Sequence, residues 1–219
     1  MVKGLSVHTN VGQLAALSHL GVTNRVLQDT QLRVTSGLKI NNPQDDSSGF
    51  QISTRIRGDI VGVTAVRTSL DLGVTTVNVA IEGGKSIKDL AIEMKGKVIQ
   101  ANQAGLDTNS RTALHNDFIA LRDQINTIAL SAEFNENNII KSGATTLAVL
   151  STQDGSTITV SAQIMDSTTL QINATNLTTS ASAAAARTAI ETAISLAGDK
   201  LAALGASQKS LTIQSDFTS

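Results

Sequence analysis

The chain has 219 residues, of which 41% are hydrophobic, and a formal net charge of −1. This balance provides no electrostatic attraction to nucleic acid or to an anionic membrane, so neither is expected as a partner. The sequence has no cysteine, tryptophan or tyrosine, which excludes disulfides and thiolate chemistry and leaves aliphatic packing and small polar residues to provide the function.

The first predicted element is a helix over residues 5–36. Apolar side chains recur there in steps of three and four residues, a spacing typical of a helix that packs along another helix. The members of this stripe are Leu17, Leu20, Leu27 and Val34, with the amides of Asn24 and Gln31 between them. Gly12 and Gly21 lower its helix propensity, so we expect it to become ordered only against partners. Gly37 is placed to end it.

The single proline of the chain predicts the start of a second helix. Asn42 can accept a hydrogen bond from a free backbone N–H group, and Pro43 fits the first helical position. Asp45 and Asp46 would then face the positive end of the helix dipole, an interpretation that we favour over a catalytic acid pair. Asn41 lies in the short linker before this helix.

The second helix is predicted to run from Pro43 to Asn102. Its apolar stripe includes Ile56 and Ile60 near the start, which we expect in the core of the bundle together with the apolar stripes of the later helices. Lysine and acidic side chains spaced four residues apart occupy its more polar side. A helix of this length exceeds the needs of a compact single-core domain, so we expect a rod.

The third helix, predicted over about residues 109–131, has the most regular period of the chain. Gly105 predicts the turn before it, with Thr108 or Asn109 as its cap. Its apolar positions are Leu114, Phe118, Leu121, Ile125 and Ile128. This stripe requires another helix alongside it.

The composition of the sequence changes after residue 140, where Thr, Ser, Asp and Gly become frequent. Alternating apolar residues in "TLAVL", "STITVSAQI" and "TTLQIN" predict three short strands, the first two joined around "QDGS". Helical spacing returns from about Ala183 and continues almost to the end. This last stripe consists of Ile190, Ile194, Ala197, Leu201, Leu204, Gln208 and Leu211.

The predicted fold is mainly α: a long antiparallel helical rod or bundle, similar to a coiled coil, with a small β-hairpin element inserted before the last helix. We divide the chain into four segments. An N-terminal helix and linker occupy 1–42, the rod helices 43–140, the β element 141–182 and the returning rod helix 183–219.

The residues offer no constellation for catalysis. His8, His19 and His115 are isolated in sequence, whereas a zinc protease needs two histidines one helical turn apart with a glutamate between them. "IEGGKS", residues 81–86, lacks the spacing of a phosphate-binding loop, and Gly83 and Gly84 are better explained by a close helix contact. We therefore expect a protein that is not an enzyme and needs no cofactor or metal.

Several motifs resemble those of one family. "RVTSGLKINNPQDDSSGF" resembles the signature near the start of bacterial flagellins, "LSVHTNVGQLAALSHL" their first helix, and "LRDQINTIALSAEFNENNII" the end of their third helix with its Phe-Asn turn. Together these cover about residues 5–140, and "LAGDKLAALGASQKSL" is similar in pattern to the descending helix. The resemblance implies a short flagellin without large outer domains.

The resemblance also implies sites and partners. It implies that the first helix lies in the inner tube of a filament, with Leu17, Leu20, Leu27 and Val34 buried in contacts between subunits. Arg25 and Arg33 would either make polar contacts across subunits or lie on a solvated face. The segment Asn41, Asn42, Pro43, Asp45 and Asp46 would join the inner tube to the outer one. Partners would be further copies of the chain, an export chaperone, the type III export apparatus, the filament cap and the hook-junction proteins. The location would be the extracellular flagellum.

Two differences from the family pattern affect these expectations. Flagellins continue beyond this point with a further C-terminal helix, so we expect a shortened or truncated form. A receptor-binding patch late in the long helix would fall on Lys95, Gly96 and Lys97, where the acidic and apolar residues of the patch are replaced. Two other functions stay open at this point: a hook-filament junction protein and a cell-surface adhesin. The scarcity of aromatic residues for sugar stacking argues against the adhesin.

Overall fold

The computed structural model describes residues 10–218. Within this range the elements are α1 (Val11–Ser36), α2 (Ser47–Ala101), α3 (Thr108–Ser131), β1 (Leu147–Leu150), β2 (Thr157–Val160) and α4 (Ser180–Phe217). The predicted class, mainly α with a β-hairpin before the last helix, is confirmed. His8 and residues 5–9 of the predicted first helix lie outside the described residues. The chain divides into two compact units, Met1–Val61 and Gly62–Ser219, whose boundary falls inside α2.

Helix α1 is closed by a polar cap and a glycine. The side chain of Asn10 accepts a hydrogen bond of 3.2 Å from the backbone N–H of Gln13, which satisfies one of the free donors of the first turn. The helix ends at Gly37, whose φ of 67° lies in the left-handed region that glycine tolerates best. The predicted turn at Gly37 is therefore confirmed.

The predicted start of α2 at Pro43 is wrong. The backbone N–H of Asp45 donates to the carbonyl of Asn42 over 3.1 Å, so Pro43 occupies the second position of a β-turn. The helix begins at Ser47, after Asp46, whose carboxylate accepts a 2.9 Å bond from the N–H of Gly49. Proline suits both the first position of a helix and the second position of a turn, and the acidic cap closer to the helix determines which one forms.

Helix α3 runs antiparallel to α2 in the unit Gly62–Ser219. Lys97 Nζ lies 2.7 Å from Asp117 Oδ2. Further back along α2, a Cβ added at Gly83 would lie 2.9 Å from the Cβ of Ala132. The predicted close helix contact at this glycine is therefore found at the end of α3.

Helix α4 also runs antiparallel to α2. Lys95 Nζ lies 3.3 Å from Glu191 Oε1, and the amide of Gln208 donates to the side-chain oxygen of Asn78. Between these two contacts, a Cβ at Gly84 would lie 2.9 Å from a methyl group of Leu201. The three helices thus form a bundle with α2 as the shared element.

The core of this unit combines aliphatic residues of α2, α3 and α4. The predicted stripe of α4 is buried at Ile190, Ala197, Leu204 and Leu211. Its remaining apolar members, Ile194 and Leu201, are partly buried against the same cluster. Fully buried partners on the other helices include Leu70, Val77, Ile87 and Met94 of α2 and Phe118 and Ile125 of α3.

The connection between α2 and α3 is fixed by two polar side chains. Asp107, rather than the predicted Thr108 or Asn109, caps α3, accepting bonds of 2.9 and 3.0 Å from the N–H groups of Asn109 and Ser110. Residue 107 is the one with the extended backbone that a cap requires. The buried guanidinium of Arg111 donates to carbonyl groups at residues 101 and 103, where α2 ends.

The hairpin of β1 and β2 is confirmed, with Leu147 opposite Val160 and Leu150 opposite Thr157. Gly155, in the predicted "QDGS" turn, has a φ of 88°. The hairpin packs on the bundle: the backbone N–H of Leu150 donates to Ser69 Oγ over 3.0 Å.

The predicted third strand at "TTLQIN" is wrong. Leu170 and Ile172 are both fully buried, and this alternation suggested a strand. The residues instead form a turn in which the N–H groups of Leu170 and Ile172 donate to the carbonyls of Asp166 and Ser167. Gln171 has a φ of 61°, so the turn brings both flanking side chains inward without a ladder partner.

Ile56 and Ile60 are not in the bundle core, contrary to prediction. Their exposed fractions are 51% and 59%, and the buried positions of α2 begin at Val66. Apolar periodicity identifies a stripe but not which molecule covers each part of it.

Among the described helices, α2 alone is long and apolar enough to cross a membrane, with a best 18-residue mean hydropathy of 1.2. Length and composition are weak evidence for a span, because core helices satisfy the same test. The expectation of no membrane partner stays a prediction.

Candidate self-assembly surface

The stretch from residue 10 to residue 61 has no buried residue in the single chain. Large apolar side chains are nevertheless frequent in it. Those that are exposed are Val11, Leu14, Leu17, Leu20, Val22, Val26, Leu27, Leu32, Val34, Ile52, Ile56, Ile60 and Val61. We call this set the open apolar segment. Apolar surface of this extent marks an interaction site, because scattered single residues would not be concentrated in one part of a chain.

Helix α1 carries apolar residues on two sides. Successive residues of an α-helix are rotated by about 100°, which places the predicted residues Leu20 and Leu27 on one side and Val22 and Val26 on the opposite side. A helix that is apolar all round is normally buried. Sequence analysis found the first side and missed the second, although a plot at this angular spacing shows both.

Polar contacts join the end of α1 to the linker that follows it. The carboxylate of Asp45 accepts bonds of 3.2 and 3.3 Å from the N–H groups of Asn41 and Asn42, and its Oδ1 lies 3.9 Å from Arg33 Nη2. Arg33 therefore has a partner within its own chain, whereas Arg25 is exposed on α1.

Gly49 fixes the start of α2 by allowing a close approach. A Cβ at this position would lie 2.6 Å from the Cδ1 atom of Ile40 and 2.5 Å from Asp46 Oδ2. These distances are well below an ordinary contact, so a larger residue would displace the linker or the cap. Sequence analysis did not single out this residue, because nothing in its local pattern shows a contact with a residue nine positions away.

The remaining predicted core residues belong to the other unit. Phe118, Ile125 and Leu204 are fully buried. Leu114, Leu121, Ile128 and Leu201 are partly buried and pack against them. These side chains stabilise the bundle and are not part of the open apolar segment.

The predicted receptor patch is a charged surface of the bundle. Lys95 and Lys97 each form an ion pair across helices, with Glu191 and Asp117 respectively. The hydrogen bond that the Lys97 ammonium group donates to the Asp117 carboxylate, together with the negative charge of that carboxylate, raises the pKa of Lys97, so this lysine stays charged throughout the neutral range. Gly96 between them is exposed and would leave space for a side chain.

Residues 10–218 hold no cluster of three or more His, Asp or Glu side chains arranged for a metal ion. His19 is exposed on α1, and His115 is partly buried on α3 with an Nδ1 atom that has no hydrogen-bond partner. The prominent chemical feature of the described chain is therefore its uncovered apolar surface. Such a surface is typical of a helical subunit that associates with other chains.

Comparison with known proteins agrees with this class. The family described as bacterial flagellin N-terminal helical region matches residues 7–145. Flagellin FljM of Caulobacter vibrioides is 37% identical over 213 residues, which cover 97% of this chain and 78% of that protein. Flagellin A of Rhizobium meliloti is 32% identical over 157 residues, covering 69% and 39% of the two chains. The crystal structure of Bacillus cereus flagellin has the same fold, with a TM-score of 0.62, 23% identity, and coverage of 68% of this chain and 88% of that one.

The chain belongs to the bacterial flagellin family. It is a structural subunit of the extracellular flagellar filament, which forms by self-assembly of such chains.

Proposed function

We propose that the open apolar segment is the surface through which copies of this chain hold one another in the inner part of the filament. The observation that carries the proposal is that residues 10–61 contain no buried residue while exposing thirteen large apolar side chains. One neighbour would bury Leu17, Leu20, Leu27 and Val34. Another would bury the opposite side of α1, which carries Val22 and Val26.

The size of the effect is comparable with the free-energy cost of association. Full burial of a Leu or Val side chain contributes about 1.5–3 kcal/mol. In the free chain these four residues are between 53% and 78% exposed, and this exposed fraction is what a neighbour can bury. Burial of the remaining area yields roughly 1–2 kcal/mol for each, which must exceed the cost of losing translational freedom. The four side chains together give about 4–8 kcal/mol, within the range of about 4–15 kcal/mol that association costs, and the other exposed side chains of the segment add to this gain.

Assembly is coupled to the ordering of α1. The helix includes two glycines and has no tertiary contact that buries it in the single chain, and isolated helices are marginal in water. Order gained only on contact restrains premature polymerisation. Arg25 and Arg33 would make polar contacts across subunits, Arg33 by exchanging or sharing its contact with Asp45.

The linker from Asn41 to Asp46 would act as the connection between the inner and outer tubes. Its turn, ion pair and cap give it a defined geometry. An export chaperone, the type III export apparatus, the filament cap and the hook-junction proteins would be the other partners. A chaperone would need to cover the same apolar residues that neighbours cover after export.

Replacement of two leucines tests the assembly surface. Leu20→Ser with Leu27→Ser should reduce polymer formation, measured by sedimentation and electron microscopy under precipitating salt, which favours burial. Ile213→Ser is the matched control, since Ile213 is also an exposed residue of a helix, at 59%. Polymerisation of the double variant to the same extent as the control would refute the proposal.

We also propose that this chain activates the vertebrate flagellin receptor weakly. At the positions that correspond to the acidic and apolar residues of the family's patch, the chain has Gly96 and Lys97, and the ammonium group of Lys97 is paired with Asp117. A reporter-cell assay should give a stronger signal for Gly96→Glu with Lys97→Leu than for the parent. A strong response to the unmodified protein at nanomolar dose would contradict this.

A further inference from the structure

Helix α4 contains two glycines that its own chain does not explain. A Cβ added at Gly198 or at Gly205 would meet no atom within 4 Å. Glycine is less favourable than alanine inside a helix. At Gly84 of α2 close packing explains the glycine, because an added Cβ would lie 2.9 Å from Leu201. Gly198 and Gly205 are seven residues apart and therefore lie on the same side of α4.

Gly205 lines an open groove of about 640 Å³ between α2 and α4. Its apolar lining comes from Ile81 and Ile92 of α2 and Leu201 of α4, and Ile92 is 50% exposed. Its charged lining consists of Lys85, Lys88 and Asp89, and Lys85 Nζ lies 2.7 Å from Glu82 Oε1 of its own helix. The groove is thus apolar along its length with the ammonium groups of Lys85 and Lys88 in its lining, and Gly205 allows a helix backbone to approach it closely.

The outward side of α3 has the complementary features. Ala113, Ala120 and Thr127 are exposed and repeat every seven residues, so they form a narrow face of small side chains. Asp117 and Asp123 flank this face with side chains that are 55% and 60% exposed. Each has a cationic neighbour in its own chain, and each retains enough exposed oxygen surface to meet a second cation.

We infer that the groove between α2 and α4 receives the outward side of α3 from a second copy of the chain. The small residues of α3 would lie over Gly198 and Gly205, and the carboxylates of Asp117 and Asp123 would face Lys85 and Lys88. The two surfaces differ, so the contact is heterologous: each copy uses its groove for one neighbour and its α3 for another. The inference rests on the proposed self-assembly and assigns it a second contact, outside the open apolar segment.

Cysteine cross-linking tests this contact, because the natural chain has no cysteine. The variant Ala120→Cys with Gly205→Cys, treated with a short bismaleimide at high protein concentration, should give a ladder of covalent multimers. Each single-cysteine variant should give at most a dimer. Residue 120 lies near the level of residue 94 of α2 and residue 205 near residue 81, which separates them by about 20 Å along the axis and prevents a link within one chain.

A second variant fills the groove. Because position 205 is then a leucine, the cross-linking pair becomes Ala120→Cys with Gln208→Cys. Adding Gly198→Leu and Gly205→Leu to this pair should reduce the yield of covalent multimers at least tenfold, while circular dichroism shows the same helix content. Gly96→Leu is the matched control, because Gly96 is also a helical glycine with open space and lies outside the groove. This control should leave the ladder unchanged.

The outcomes separate this inference from the proposed function. Loss of polymers in the Leu20 and Leu27 variant with an intact ladder supports both contacts as separate surfaces. Absence of the ladder overturns the groove contact, whether or not filaments form. A ladder that persists after the groove is filled also overturns it. If the Leu20 and Leu27 variant polymerises as well as its control and the ladder is present, the result counts against the proposed function alone.

Discussion

The substitution Gly73→Ala tests how tightly α2 packs on the hairpin. A Cβ at Gly73 would lie 2.6 and 2.9 Å from the two γ carbons of Val149 and 3.3 Å from its Cβ. Ordinary carbon contacts are about 3.5–4.0 Å. Val149 is only 2% exposed, and a β-branched side chain has little freedom at χ1. The clash therefore cannot be relieved by a small rotation.

The expected magnitude follows from a comparison with Gly205→Ala. Both substitutions gain roughly 1 kcal/mol of helix propensity, but only the one at Gly73 adds overpacking, which costs about 1–3 kcal/mol. Gly205→Ala should therefore raise the free energy of unfolding by up to about 1 kcal/mol. Gly73→Ala should fall below it by about 1–3 kcal/mol, because the propensity gain cancels in the difference.

Urea unfolding followed by circular dichroism measures both variants, with equal m values required for the comparison. Val149→Ala should reduce the cost of Gly73→Ala when the two are combined, since neighbouring residues in contact are not additive. Equal stability of Gly73→Ala and Gly205→Ala would show that the hairpin does not pack on α2 as tightly as these distances indicate.

Three further predictions concern the same unit. Ile125→Ala should lower the free energy of unfolding by about 2–5 kcal/mol, because its side chain is fully buried, and a loss below about 1 kcal/mol in denaturant melts would contradict this. Hydrogen bonds from Ser110 hold the pKa of the Asp107 carboxyl below its usual value. The cap therefore stabilises the fold above about pH 4, and this stabilisation is lost as the pH falls through the lowered pKa. Asp107→Asn should make the free energy of unfolding less dependent on pH in melts between about pH 5 and 3, and an unchanged dependence would rule out the cap as its source. Glu136 has a φ of 64°, in the left-handed region that favours glycine. Glu136→Gly should therefore raise the melting temperature by relieving about 0.5–1 kcal/mol of backbone strain. A lower melting temperature would show that the glutamate side chain makes a stabilising contact.

Helix order and direction could be predicted because periodicity extends over many residues. Phe118, Ile125, Ile190 and Leu204 were placed on buried stripes from spacing alone, and the structure buries all four. The pattern averages over several turns of helix, so single exceptions do not obscure it.

Short patterns were less informative, since two structures satisfied each of them. Pro43 fits a turn as well as a helix start, and the cap at Asp46 selects the turn. Leu170 and Ile172 alternate with Gln171 as strand residues do, yet a left-handed residue produces the same burial in a turn. Contacts between distant parts of the chain decide such cases, and local sequence does not contain them.

The candidate surface was predicted in part. Leu17, Leu20, Leu27 and Val34 were singled out by their spacing and are exposed in the chain, although their role in contacts between subunits stays a prediction. The groove beside Gly205 could not be predicted, because a glycine with open space and a glycine in a close contact are identical in sequence.

The lack of burial in α1 also sets how fast its backbone amides exchange with solvent. Hydrogen bonds in a helix without tertiary cover open locally at little free-energy cost, whereas those of a packed core helix open only with the whole unit. In heavy water, the amides of α1 in a free chain should therefore exchange early, and those around the buried part of α2 late. Incorporation into a filament would slow exchange in α1 and in the uncovered start of α2, so the deuterium content of α1 would report the fraction of chains assembled at any moment, without a fluorescent label or a change to the sequence.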